Sequence, residues 1–170
     1  MTHRFFGFGS LVNTRTHNNL DMRNDVITGW RRIWRKTHLR DIAFLSAEPV
    51  TGGEVWGLSA AVPNQDWTAL DAREAGYARI NLTPDTALYS VQKDNFDHST
   101  RGVILLSYLD VVIQGYEDRF GPAGIAHFFD TTDGWDVDVI DDRTAPQYPR
   151  AQDVPTDLQR MVDQHLAAKM

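Results

Sequence analysis

Strand-like runs that follow one another without a helical period between them restrict this chain more than any other feature. Between residues 26 and 62 stand "VITGWRRIWRK" (26–36), "IAFLSAE" (42–48) and "GEVWGLSAAV" (53–62). All three are rich in β-branched and aromatic residues, which pack well on a pleated surface. "HRFFGF" (3–8) reads as a buried first strand; "YARINL", "TALYSVQ" and "RGVILLSY" extend the series, with "TPD" as a turn between the first two. "TGG" at 51–53 is a turn signal that predicts a hairpin from the runs at 42–48 and 53–62. Helical character enters late and irregularly. Residues 63–77 are rich in Ala, Leu, Arg and Glu, with Gly76 as a stop. "SYLDVVIQGYEDRFG" (107–121) predicts a helix opened by Ser107, with Asp110 three positions on as a variant capping box. "GPAGIAHFFD" predicts a short helix, "WDVDVID" (135–141) a late strand, "RTAPQYPRAQ" an irregular crossing, and the stretch from Pro155 a final amphipathic helix. Strands in runs with helices inserted late imply an α+β class with a mixed sheet or small barrel, not regular βαβ alternation. The 170 residues predict a single domain, 1–170.

Composition removes several function classes. A net charge of -6 argues against a nucleic-acid or anionic-membrane footprint. The densest basic stretch, "WRRIWRKTHLR" at 30–40, reads as the wet face of a strand. With no cysteine there is neither a thiolate metal site nor a cysteine nucleophile. The histidines lack metal-ligand spacing, and "FDTTDGWDVDVIDD" (129–142) misses the glycine position of a calcium loop by one residue. No apolar run approaches the roughly 18 residues of a membrane span, and the first ten residues lack a signal-peptide core. The expected location is the cytoplasm.

"RFFGFGSLVN" at 4–13 packs two glycines against a strand. A dinucleotide fingerprint needs a third glycine where Val12 stands; a P-loop needs a Gly-Lys pair; a nucleophile elbow needs glycines flanking Ser10 at two residues' distance. All three fail on spacing. What remains is a strand ending in a small-residue loop, whose successive N–H groups form a nest for an anion or a developing oxyanion, or simply a close strand contact.

In the helix of residues 63–77, Trp67, Leu70 and Glu74 fall within about 60° of one another at the helical period. Glu74 therefore belongs to the apolar face, while Asp66 and Arg73 point elsewhere. Poor hydration raises a carboxyl pKa toward the range of a general acid/base working near neutrality. The competing assignment is a structural ion pair with an arginine such as Arg79. Asp71, at the edge of the face, is either solvated or a second carboxylate paired with Glu74.

"FGFGSL" (6–11), "GWRRIW" (29–34), "GEVWGL" (53–58) and "LDAREAGYARI" (70–80), in this order and spacing, resemble the gamma-glutamylcyclotransferase-like superfamily. "SYLDVVIQGY" gives softer support from the second half. The resemblance implies a small mixed β-barrel flanked by helices and a cofactor-independent enzyme with no metal. Its reaction cleaves a small-molecule γ-glutamyl amide to 5-oxoproline and a free amine. It assigns substrate binding to Phe8, Gly9, Ser10, Leu11 and Tyr77 and the acid/base role to Glu74. Phe8 stands where the family has tyrosine, so the hydroxyl of that position is missing here. The alternative function is a non-catalytic small-molecule-binding or interaction module that keeps the same barrel.

Overall fold

Two long antiparallel strands, β2 (Leu20–Thr37) and β3 (Arg40–Ala61), form the spine of the structure, a computed structural model that describes residues 2–170. Around them, in chain order, lie β1 (Arg4–Gly7), α1 (Thr68–Arg73), β4 (Tyr77–Asn81), β5 (Thr86–Val91), β6 (Gly102–Leu105), α2 (Leu106–Phe120), α3 (Pro122–Asp130), β7 (Thr132–Asp133), β8 (Val137–Ile140) and α4 (Thr156–Ala167). The α+β class with a mixed sheet is what the strand-rich first half predicts.

The hairpin falls elsewhere than expected. Its turn joins Thr37 to Arg40, and residues 42–61 form one strand. The "TGG" glycines serve a bulge: the ladder jumps from Thr28↔Glu54 to Trp30↔Pro49, so residues 50–53 loop out of the pairing. Gly29 (φ +80) and Gly52 (φ +77) take the left-handed backbone this kink needs.

The sheet order is β4-β5-β1-β3-β2-β7, with β6 on β3 and β8 on β6. Pairing is parallel for β1–β5, β2–β7, β3–β6 and β6–β8, and antiparallel for the remainder. The ladder does not close, but the sheet curls in barrel fashion. Ser46 and Ser90 meet at 3.2 Å, Ser90 Oγ donates to the Ala47 carbonyl at 2.8 Å, and the Val91 N–H donates to Ser46 Oγ at 3.0 Å. These bonds tie β5 to the first half of β3.

On one side, α2 buries Leu109, Val112, Ile113 and Tyr116 against α3, α4 and the loop after β1. Its start differs from the expected capping box. The helix begins one residue before Ser107, whose N–H and hydroxyl donate to the buried Asp142 carboxylate at 2.8 and 2.6 Å. Asp110 instead holds Arg143 through two bonds of 2.7 and 2.8 Å. A carboxylate distant in sequence thus takes the capping role, accepting the Ser107 N–H and hydroxyl together.

Three cations of the basic stretch at 30–40 are held by partners within the protein. Arg31 pairs with Asp133 at 2.6 Å, Arg35 grips Glu48 at 2.8 and 2.7 Å, and Lys36 donates to the Thr37 and Arg40 carbonyls. Arg32 is not on a wet face at all: it is 0% exposed, with its guanidinium over the rings of Tyr116 and Phe128.

His127 supplies a pH signature. Its Nε2 accepts the Trp56 backbone N–H at 3.0 Å while the two rings stack 4.2 Å apart. Burial, reinforced by the nearby Arg32 charge, lowers its pKa from 6.5 to about 4. The unfolded chain then binds the extra proton first, so stability should fall as pH drops from 6.5 toward 4. Urea melts across that window should show a flatter decline for His127→Gln; an equally steep one would assign the loss to other groups.

Candidate active site

Four anchors hold the loop after β1. The Tyr116 hydroxyl donates to the Phe8 carbonyl at 2.9 Å, and Asn13 Nδ2 donates to the Val111 carbonyl and to Gln114 Oε1, both at 2.9 Å. Within the loop, a single tight turn spans Ser10–Val12, and the Ser10 backbone hydrogen-bonds to the Tyr108 hydroxyl. A side chain at position 9 would be crowded. A Cβ there would come within 2.9 Å of the Tyr108 hydroxyl and 3.3 Å of Leu45 Cδ2. What approaches this backbone is the hydroxyl end of a tyrosine from α2.

The helix over 63–77 is shorter than its composition predicts. A tight turn at residues 63–65 precedes α1, and Glu74 is the residue that ends α1, its N–H still bonded to the Leu70 carbonyl at 2.9 Å. Gly76 (φ +97) then turns the chain into β4. Leu70 is buried, as the apolar face requires, and it fixes the last turn so that the Glu74 side chain is only 16% exposed. Burial pushes the Glu74 carboxyl above its ordinary pKa, against the pull of Arg73 and Arg150.

Arg73 does not point away. Its Nε lies 3.3 Å from Glu74 Oε1, and the same guanidinium bonds the Thr16 carbonyl at 2.8 Å, Thr16 Oγ1 at 2.9 Å and Ser10 Oγ at 3.4 Å. It therefore links loop and carboxylate. Arg79 is not the partner of Glu74. It pairs with Asp71, which also accepts the Tyr89 hydroxyl at 2.6 Å, so Asp71 is neither free nor half of a carboxylate pair.

A cavity of about 310 Å³ opens beside Glu74, and a smaller one of about 30 Å³ lies under the loop. Ser10, Leu45, Glu74, Tyr77 and Tyr108 line both. The six residues singled out in sequence thus come together: Ser10, Glu74 and Tyr77 face the larger space, while Phe8, Gly9 and Leu11 complete the smaller one. Tyr77 donates its hydroxyl to the Leu45 carbonyl at 2.9 Å. Burial pushes both the Tyr77 and Tyr108 hydroxyls up, so each stays a neutral donor. Among the described residues, no three His, Asp or Glu side chains converge as a metal site would require.

Sequence reasoning missed Arg40, Arg73, Tyr108, Tyr148 and Arg150, all of which line the larger cavity. Tyr108 stood within a noted motif, and "YPR" lay in a stretch without periodicity. The one usable signal was that an irregular segment crossing a folded scaffold is where binding residues concentrate. That segment is pinned: the Gln147 N–H donates to Asp142 at 2.8 Å and the Tyr148 N–H to Ser107 Oγ at 3.3 Å, which sets Tyr148 against Tyr108 with ring centres 5.0 Å apart.

No protein-family model matches the chain, and no curated protein does. Solved structures do. One described as a gamma-glutamyl cyclotransferase aligns over 96% of this chain and 99% of its own, at 13% identity and a TM-score of 0.59. An uncharacterized protein from Homo sapiens aligns over 95% and 98%, at 11% identity and a TM-score of 0.54. YkqA from Bacillus subtilis aligns over 78% of this chain but only 56% of its own, at 17% identity and a TM-score of 0.59. At such identities the likeness is one of architecture, and the architecture is clear: the chain has the gamma-glutamylcyclotransferase-like fold.

Proposed function

We propose that the protein is a cofactor-independent cyclotransferase that converts a γ-glutamyl amide to 5-oxoproline and a free amine. One observation carries this reading. A poorly hydrated carboxylate, Glu74, lies on the wall shared by two cavities, together with the Ser10 loop and the Tyr108 hydroxyl. The fold shared with a structure described as a gamma-glutamyl cyclotransferase supports it.

In this reading Glu74 takes a proton from the substrate's α-ammonium, and the freed lone pair attacks the γ-carbonyl carbon. A five-membered ring closes and the carbonyl electrons move onto oxygen. The loop N–H groups and the Tyr108 hydroxyl hold that oxyanion. Its collapse breaks the old C–N bond, and the departing nitrogen takes the proton from Glu74. The second surplus proton of the attacking nitrogen passes by the same carboxylate, so the amine leaves as ammonium and Glu74 ends ionised. The nucleophile belongs to the substrate. Alignment of such an intramolecular attack can supply about 7–11 kcal/mol of the barrier reduction, so the protein's task is to curl the chain and move protons.

The second reading is a binding module with the same fold. Arg73 favours it, because a cation 3.3 Å from Glu74 opposes protonation of the carboxylate and occupies one oxygen. Incubation with γ-glutamyl dipeptides, glutathione and γ-glutamyl amines, scored for 5-oxoproline, separates the two. Release from at least one substrate is expected; tight binding of one with release from none would leave only the module.

A further inference from the structure

The larger cavity is out of balance with the molecule around it. The chain carries a net charge of -6, yet this cavity is lined by three cations, Arg40, Arg73 and Arg150, and one anion, Glu74. Arg73 is engaged with Glu74, Thr16 and Ser10. Arg40 and Arg150 make no such direct contact, although the Arg150 charge is felt at Glu74. Among the described residues neither forms an ion pair, although every other arginine does so except the buried Arg32 and Arg119, which donates to the Asn24 side-chain amide oxygen. Arg40 lies over the Phe44 ring at 5.6 Å, and Arg150 stands on the pinned segment beside Tyr148.

We infer that Arg40 and Arg150 choose the leaving group, favouring a γ-glutamyl amide whose departing amine carries an anionic group and rejecting one whose departing amine is cationic. The inference rests on the cyclotransferase reading of the site and adds residues to it. The γ-glutamyl part is a zwitterion of zero net charge, so its binding leaves the lining's excess of two positive charges untouched. A neutral amine also leaves it, a cationic amine adds to it, and an acidic amine reduces it. Like-charge contact disfavours the wrong partner as much as opposite charge favours the right one. Guanidinium forks suit a carboxylate in particular. The remaining wall, with Ile42, Phe44, Leu105 and Pro149, suits the aliphatic body of such an amine.

The test compares γ-glutamyl-alanine with γ-glutamyl-alaninamide, which differ by one carboxylate, and with γ-glutamyl-putrescine, whose departing amine is cationic. We expect kcat/KM to be about tenfold or more higher for the alanine compound than for its amide, in line with a charge-assisted hydrogen bond, and lowest for putrescine. Raised salt should shrink the difference. In the double variant Arg40→Gln, Arg150→Gln, the ratio between alanine compound and amide should fall to about threefold or less, with an unchanged thermal melt because neither side chain has an ion pair to lose. Equal turnover of all three, or preference for putrescine, overturns the inference and leaves the reaction standing. If none releases 5-oxoproline, calorimetry decides. Tighter binding of the alanine compound that the double variant abolishes keeps the anion selectivity and removes the reaction, whereas equal or absent binding removes both.

Discussion

Replacing Glu74 by glutamine should lower 5-oxoproline release by about 10²–10⁴-fold, the usual contribution of a positioned proton carrier, while leaving the melting temperature nearly unchanged. The substitution preserves shape, and the amide oxygen of glutamine still accepts from Arg73 Nε, which sits 3.3 Å from the present carboxylate. It also removes a charge from poorly hydrated surroundings. Because burial raises the folded-state pKa of Glu74, this group adds stability below its ordinary value of 4.5, and that increment is lost as pH rises through the raised value. Glu74→Gln should abolish that part of the pH dependence. In the active protein the same raised pKa should set the acid limb of kcat/KM above 4.5, since the base must be ionised to accept the ammonium proton. Melts and turnover on one preparation check all of this. A destabilised but fully active variant would falsify the acid/base role and make the Arg73 contact a structural ion pair.

Arg32→Ala should cost about 3–5 kcal/mol of stability, the range for truncating a large buried side chain, and lower the melting temperature by ~10 °C or more for a chain of this size. Arg32 has no carboxylate partner. Its guanidinium is satisfied by neutral oxygens: the Tyr116 hydroxyl at 2.8 Å, Thr132 Oγ1 at 3.0 Å, Thr131 Oγ1 at 2.5 Å and the Trp56 carbonyl at 3.2 Å. Truncation leaves a void and unpaired polar atoms together, and each buried unpaired group adds its own penalty. The effect should reach the candidate site, because the Tyr116 hydroxyl also holds the Phe8 carbonyl. Arg32→Lys should recover only part of the loss, since an ammonium lacks the planar fork that meets several oxygens at once. Denaturant melts of both variants provide the measurement, and a shift under about 2 °C for the alanine variant would contradict the argument.

Much of the architecture was legible because period and residue type answer the questions strands and helices pose. The uninterrupted strand-like runs fixed the class, and the spacing of Trp67, Leu70 and Glu74 marked the carboxylate even though α1 stops at Arg73. What stayed hidden depended on partners far away in sequence. Glycine at 52 reports a left-handed backbone, but a hairpin turn and a bulge both need one, and only the long partner strand decides. Arg32 reads as exposed by its type, and becomes buried because Tyr116, Thr131 and Thr132 supply oxygens from 84 to 100 residues later. Arg73 sits off the apolar face by its Cβ direction, yet its long side chain returns to Glu74. Tyr148 and Arg150 lie in a segment with no period at all, so nothing local could place them.

The clamp of Asp142 on Ser107 and Gln147 has a consequence for how a ligand arrives. Fixing a backbone residue removes conformational entropy worth about 1–2 kcal/mol, and a binding segment left loose in the free protein would charge that cost against every association event. Here residues 142–148 are already ordered by three bonds to one carboxylate, of 2.8, 2.6 and 2.8 Å. The wall that carries Tyr148 is thus set when the chain folds. For a ligand that enters beside it, the expected outcome is an association rate set by encounter and orientation rather than by ordering of residues 142–148.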